Sequence, residues 1–133
     1  RVTEVIDLNI DDLNMDSCLL KLRKDNTNRV FLLNKLAYNS IIDYLEQYRT
    51  DYSGDEPLFT NLNSLRLTRQ GIWKIFKQYN KMAGLSNDIT PHTLRHSFAI
   101  HMLNNGISLI KLQKMMGYCD LSTIQSYIYI AGE

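Results

Sequence analysis

The sequence predicts a mainly α-helical fold carrying one small antiparallel β-hairpin. Two observations lead there. Apolar residues recur at the 3.6-residue period in several stretches bounded by capping and stopping residues, and a single stretch, residues 18–33, holds two short β-type runs around a polar turn. A chain of 133 residues with 44% hydrophobic content can bury one ordinary core but is short for two independent domains, so one globular domain is expected.

The elements follow in order. Val2, Val5 and Ile6 stand at helical spacing before the pattern decays at Asn9, which reads as the tail of a helix and suggests an excised fragment. In the hairpin, Asp25-Asn26-Thr27-Asn28 forms the turn and Lys24 sits at the tip. Asn34 is the N-cap of a helix bearing Tyr38, Ile41, Ile42, Leu45 and Tyr48, with Ser53-Gly54 and Pro57 as its stop. After a loop to about Arg66, Thr68 caps a helix whose apolar stripe is Ile72, Ile75, Phe76, Tyr79 and Met82. Lys74, Lys77 and Lys81 lie opposite, and Gly84 ends it. Thr90-Pro91 opens the next helix with a cap residue and a proline at the first position, and Asn105-Gly106 closes it. Ser108 to Met116 forms a shorter helix ending at Gly117, and Ser122 or Thr123 starts a last one through Tyr127.

The net charge of +1 hides an asymmetry. Residues 1–66 carry 8 Lys/Arg against 11 Asp/Glu, whereas residues 67–133 carry 7 against 3. A polyanionic partner would therefore sit on the second half together with the Lys21 to Arg29 cluster, the alternative being solvated charged faces. No apolar run reaches the roughly 18 residues of a membrane span, and the basic-then-apolar order of a secretory signal is missing, so a soluble, cytoplasmic protein is expected. Cys18 and Cys119 are far apart and lack a CxxC spacing, which favours free thiols over a disulfide or a zinc knuckle.

The densest polar cluster is His92-Thr93-Leu94-Arg95-His96, in the first turns of the helix opened by Thr90-Pro91. Residues 92 and 95 share a face. Unpaired N–H groups at a helix N-terminus, joined by a guanidinium and an imidazole, make a phosphate site, while a capped helix with polar surface residues fits the pentapeptide equally. A zinc site on His92, His96 and His101 lacks the glutamate of HExxH, since Thr93 stands there, and Arg95 would repel the cation. His96 and His101 are therefore expected to be packed or hydrogen-bonded structural residues, and no metal or cofactor is expected. Asp11, Asp12 and Asp16 suggest a metal-dependent nuclease only weakly, because consecutive acids after a helix usually form a solvated turn.

Taken together, PHTLRHSFAIHMLNNG followed by LIKLQKMMGYCDLSTIQSY resembles the C-terminal signature of tyrosine recombinases of the phage-integrase type, especially the Xer-like bacterial integrases. That family shows H-x-x-R-H, then a turn ending in His or Trp, then a nucleophilic tyrosine nine residues on. Here Tyr118 takes the His/Trp place and Tyr127 the nucleophile's. RVTEVIDL is similar to the segment that begins with the family's first catalytic arginine, which maps onto Arg1, and the hairpin lysine maps onto Lys24. Thr68-Arg69-Gln70, continuing to Lys74, resembles the segment that enters the DNA major groove. The resemblance runs over essentially the whole chain. It implies the mainly α catalytic-domain fold of the DNA breaking-rejoining enzymes, over residues 1–133, without the N-terminal DNA-clamping domain and with an end only six residues after Tyr127. It further implies double-stranded DNA as partner and tetramers on DNA in the full-length protein.

The implied chemistry suits these residues. Forming a tyrosine phenolate at pH 7 costs about 4 kcal/mol, so Tyr127 needs a base such as His92. Arg1 and Arg95 would hold the non-bridging oxygens of the attacked phosphodiester, each donor contributing ~3 kcal/mol. Lys24 would protonate the departing 5′-oxygen, and the 3′-phosphotyrosine would keep the energy needed to rejoin DNA without ATP. Tyr118 departs from the pattern. A neutral phenol donates one hydrogen bond but carries no charge, which lowers stabilisation by ~1–2 kcal/mol and opens the alternative of a catalytically impaired DNA-binding relative. Glu4, one turn after Arg1, reads either as its partner or as a solvated acid.

Overall fold

The computed structural model describes residues 1–22 and 29–117. Among them the chain forms five α-helices, one 3₁₀ turn and a three-stranded antiparallel sheet. The mainly α fold with a small antiparallel sheet is as expected. The chain divides into two compact units, one of Thr3–Thr68 and one that contains Arg1, Val2 and the described residues from Arg69 onward, each with its own apolar cluster.

In the first unit, α1 (Val2–Ile6), which enters it at Thr3, leads into the 3₁₀ turn Ile10–Asp12. Asp12 is buried, and its carboxylate accepts the backbone N–H of Asn9 at 2.8 Å. It is a cap rather than the solvated acid expected, whereas Asp11 and Asp16 are exposed. The sheet runs β1 (Leu13–Asn14), β2 (Leu19–Leu22), β3 (Arg29–Leu32). The predicted hairpin is β2–β3, paired from Leu19↔Leu32 to Leu22↔Arg29, and its turn, with Lys24, lies outside the described residues. Strand β1 is an addition. It is only two residues long, and the turn that returns it to β2 is closed by Asn14, whose Oδ1 accepts the N–H groups of Asp16 and Ser17 at 3.0 Å each.

Helix α2 (Lys35–Tyr48) starts where the cap predicts, the Asn34 side chain accepting the Ala37 N–H at 2.8 Å. It stops before Ser53-Gly54. Arg49 leaves the helical conformation with its guanidinium drawn to the carbonyls of Pro57 at 2.7 Å and Leu58 at 3.0 Å and to Glu56 at 3.2 Å. Tyr48, expected on the apolar stripe, is exposed, while Leu45 joins Leu8, Ile10, Leu13, Leu22 and Leu58 in the core. Arg66 clips the end of α1, donating to the carbonyls of Ile6 at 2.7 Å and Leu8 at 3.0 Å.

The second unit holds α3 (Arg69–Met82), α4 (Pro91–Asn104) and α5 (Leu109–Met116). On α3 the buried line is narrower than the predicted stripe. Ile72 and Asn80 are buried and Phe76 half-buried, whereas Ile75, Tyr79 and Met82 are exposed. The inward row steps by four residues and ends on a polar one, because the Asn80 amide donates to the Ile89 carbonyl at 2.7 Å and ties α3 to the loop before α4. Lys74, Lys77 and Lys81 are exposed, as predicted. Helix α4 has Thr90 as N-cap, a Thr90–Thr93 capping box and Pro91 in its first turn. Helix α5 is capped by Ser108 and stopped by Gly117 at φ 73°, a left-handed conformation that favours glycine. Ala99 of α4 packs with Leu112 and Met116 of α5, supported by Met102, Leu103 and Ile107. The predicted last helix through Tyr127 lies outside the described residues.

Leu58 has 0% exposure and Leu62 is fully exposed. Leu58→Ala is expected to lower the unfolding free energy by about 2–5 kcal/mol and Leu62→Ala by no more than about 0.5 kcal/mol, as read by chemical denaturation.

Candidate active site

The start of α4 and the end of α5 build the site. The Thr90–Pro91 cap sets the first turn of α4, so that His92 and Arg95, three residues apart, fall on one face. The Ala99, Leu112 and Met116 contact holds α5 against α4. Arg95 Nη2 then donates to the Met116 carbonyl, and Arg1 Nη2 donates to the next carbonyl, Gly117, at 2.6 Å. The last carbonyls of a helix have no partner within it and carry the negative end of its dipole, so a guanidinium stabilises them twice over. Two arginines 94 positions apart in sequence thus meet on adjacent backbone oxygens. The charge-assisted donors converging there are of the kind that hold phosphate oxygens.

His92 is exposed and His96 half-buried one turn later. Their rings meet edge to face, 4.4 Å between centroids at 78°, with Nε2 to Nε2 at 2.8 Å. Burial, and after it the nearby His92 and Arg95, hold the His96 pKa below the usual histidine value, so this ring is neutral at pH 7. His101 is exposed beside Asn105, its Nε2 3.3 Å from the amide nitrogen.

Of the six catalytic positions expected, Arg1, His92 and Arg95 belong to one unit, with both arginines on neighbouring carbonyls. Lys24, Tyr118 and Tyr127 lie outside the described residues. Thr68, Arg69, Gln70 and Lys74 are all exposed, around the start of α3. Two expectations need correction. Glu4 is a buried acid in an ion pair with Arg29, not a solvated one, and Arg29, also 5.8 Å from the Phe31 ring centroid, is engaged in the fold and leaves the basic surface cluster. A long-range pair of this kind has no sequence signal. The His92–His96 contact had one in the i, i+4 spacing, but the sequence alone assigned His96 no function.

Among the described residues no group of three or more His, Cys, Asp or Glu side chains gathers as a metal site, and no helix is long and apolar enough to cross a membrane. Cys18 is a free thiol.

The fold agrees with what known proteins show. The sequence matches the phage integrase family over residues 1–132. The tyrosine recombinase XerD of Staphylococcus haemolyticus is 41% identical over 139 residues, covering 98% of this chain and 46% of the relative. The tyrosine recombinase XerC of Roseiflexus castenholzii is 40% identical, covering 100% of this chain and 44% of the relative. Among solved structures, the XerA recombinase superposes with a TM-score of 0.85 at 27% identity, covering 96% of this chain and 46% of that one. The XerH site-specific recombinase bound to its difH substrate in a pre-cleavage complex gives 0.77 at 25% identity, covering 96% and 38%. The chain belongs to the phage integrase family, and it spans about half the length of the curated relatives it matches.

The depressed His96 pKa has a measurable consequence. A pKa below the unfolded value means that the contribution to stability is present above about pH 6.5 and is lost as pH falls through the folded value. In an NMR titration His96 should titrate below 6.5. His92→Gln should raise it only part of the way, because burial and Arg95 remain, and a His96 midpoint at or above 6.5 in the native protein would contradict the assignment.

Proposed function

We propose that this chain is the C-terminal catalytic domain of a site-specific DNA recombinase that cleaves and rejoins double-stranded DNA through a 3′-phosphotyrosine at Tyr127. The observation that carries the reading is the meeting of Arg1 and Arg95 on adjacent acceptor oxygens, on the α4 face that also bears His92. Membership of the phage integrase family, relatives named tyrosine recombinases and a neighbouring site-specific recombinase structure bound to its difH substrate support it.

In the proposed step the Tyr127 O–H bond breaks and its proton passes to His92, the phenolic oxygen bonds to phosphorus, and the P–O5′ bond breaks. The 5′-oxygen takes a proton from the Lys24 ammonium. Arg1 and Arg95 donate to the non-bridging oxygens as charge builds on them, each donor contributing ~3 kcal/mol. Tyr118 serves as a neutral hydrogen-bond donor beside the phosphate. The reverse attack by a 5′-hydroxyl rejoins the strand, so neither metal nor nucleotide cofactor enters the scheme. Thr68, Arg69, Gln70 and Lys74 meet the DNA at the exposed start of α3, with Lys77 and Lys81 adding phosphate contacts. The full-length protein acts in the cytoplasm as a tetramer joining two duplexes.

Covalent capture on a nicked suicide duplex tests this in the full-length protein. The native protein should form an SDS-stable adduct that persists in chelator, and Tyr127→Phe should form none. Arg95→Ala should slow capture by about 100-fold, while Tyr118→Phe should slow it and Tyr118→His speed it. Loss of the adduct in Tyr118→Phe with its retention in Tyr127→Phe would overturn the nucleophile assignment. DNA binding by the isolated chain should be weak and fall steeply with salt, and affinity unchanged between about 50 and 200 mM salt would contradict the phosphate contacts.

A further inference from the structure

We propose that His96 is a positioning residue for His92, accepting the proton on His92 Nε2 so that His92 Nδ1 is left as the proton acceptor in strand cleavage. This deepens the recombinase reading and rests on it.

The two Nε2 atoms lie 2.8 Å apart. At that separation two lone pairs repel and two N–H groups collide, so one proton lies between the rings and the two tautomers are coupled. If His96 were the donor, the Nε2 lone pair of His92 would be consumed and its other nitrogen would carry the proton. His92 would then have no site left to accept one. If His92 is the donor, Nδ1 keeps its lone pair and His92 is a competent base.

The surroundings favour the second arrangement once His92 takes up a proton. The imidazolium keeps its Nε2–H pointing at His96, and the hydrogen bond becomes charge-assisted and stronger. For this His96 must stay neutral. It is half-buried, and the charges of His92 and Arg95 near its ring, cationic or becoming so during the reaction, oppose its protonation. Arg95 is itself fixed by the Met116 carbonyl of α5, the helix packed on α4, so its charge stays near the ring. A second proton on the pair is thereby disfavoured. His96 holds one proton axis of His92 and leaves the other nitrogen free.

Two substitutions separate this role from plain packing. Glutamine at 96 offers an amide oxygen to the His92 Nε2–H and does not titrate, whereas leucine fills space and accepts nothing. In single-turnover capture on the suicide duplex by the full-length protein, His96→Leu should lower the plateau rate about tenfold and move the acidic limb of the rate–pH profile to lower pH, because His92 becomes a weaker base. His96→Gln should keep both near native, and DNA affinity should be unchanged in each. Equal native behaviour of both variants, or equal slowing of both, would overturn the proposal. The tautomer gives an answer independent of catalysis. Nitrogen-15 chemical shifts of His92 without DNA should show the proton on Nε2 in the native protein and a mixture in His96→Leu, and a proton on Nδ1 in the native protein would overturn the proposal. Were the native protein to form no adduct at all, the recombinase reading would fall, while these shifts would still decide the histidine pair.

Discussion

The hydrogen bond from Arg95 to the Met116 carbonyl is the interaction on which the arrangement of the site depends. It ties the first turns of α4 to the last turn of α5, and it does so with a group to which the proposed mechanism gives a role. The Ala99, Leu112 and Met116 cluster brings the helices into contact without directing any polar group. The guanidinium then fixes the contact, and Gly117 in its left-handed conformation turns the chain so that the next carbonyl faces Arg1. Removing an arginine there leaves a helix-end oxygen without its charged donor, and a hydrogen bond to a charged group contributes about 1.5–3 kcal/mol. Under the proposed mechanism stability and function are coupled at these two residues, and a kinetic loss in an arginine variant has to be read beside its folding free energy.

Charge placement follows the same economy. The structure withdraws Arg29, Arg49 and Arg66 from solvent into contacts with Glu4, with the carbonyls of Pro57 and Leu58, and with those of Ile6 and Leu8. Arg49 and Arg66 brace short irregular segments by donating to their carbonyls, and the Leu8 carbonyl also accepts the Leu58 N–H at 2.9 Å. The surface positive charge of α3 is left to the exposed Lys74, Lys77 and Lys81, with Arg69 at the helix start. That division explains how a chain of net charge +1 presents a basic helix face.

Much of this was legible in the sequence because it rests on local rules. Asn34, Thr90 with Pro91, Ser108 and Gly117 announce helix ends through the backbone groups they satisfy or the angles they permit, and all four are found in those roles. The β2–β3 hairpin was legible from two short β-type runs around a polar turn. What escaped depends on tertiary context. Strand β1 is too short to show a period, the burial of Asn80 follows from a carbonyl in the loop that leads to α4, and Tyr48 and Tyr79 stand at helical spacing yet stay exposed. The division into two apolar clusters has no compositional signature either. At the site, the HxxRH spacing placed His92 and Arg95 on one face, while the meeting of Arg1 with Arg95 came from family resemblance and not from any periodicity.

The central claim is that a phosphodiester is attacked by Tyr127 while held by the paired arginines. Its most direct test is to capture the full-length protein on a suicide duplex, digest the adduct and locate the DNA-linked residue by mass spectrometry. One modified peptide is expected, with the nucleotide on the Tyr127 oxygen through a 3′-phosphate. Attachment at Tyr118, or cleavage that proceeds with no protein-linked nucleotide, would contradict it.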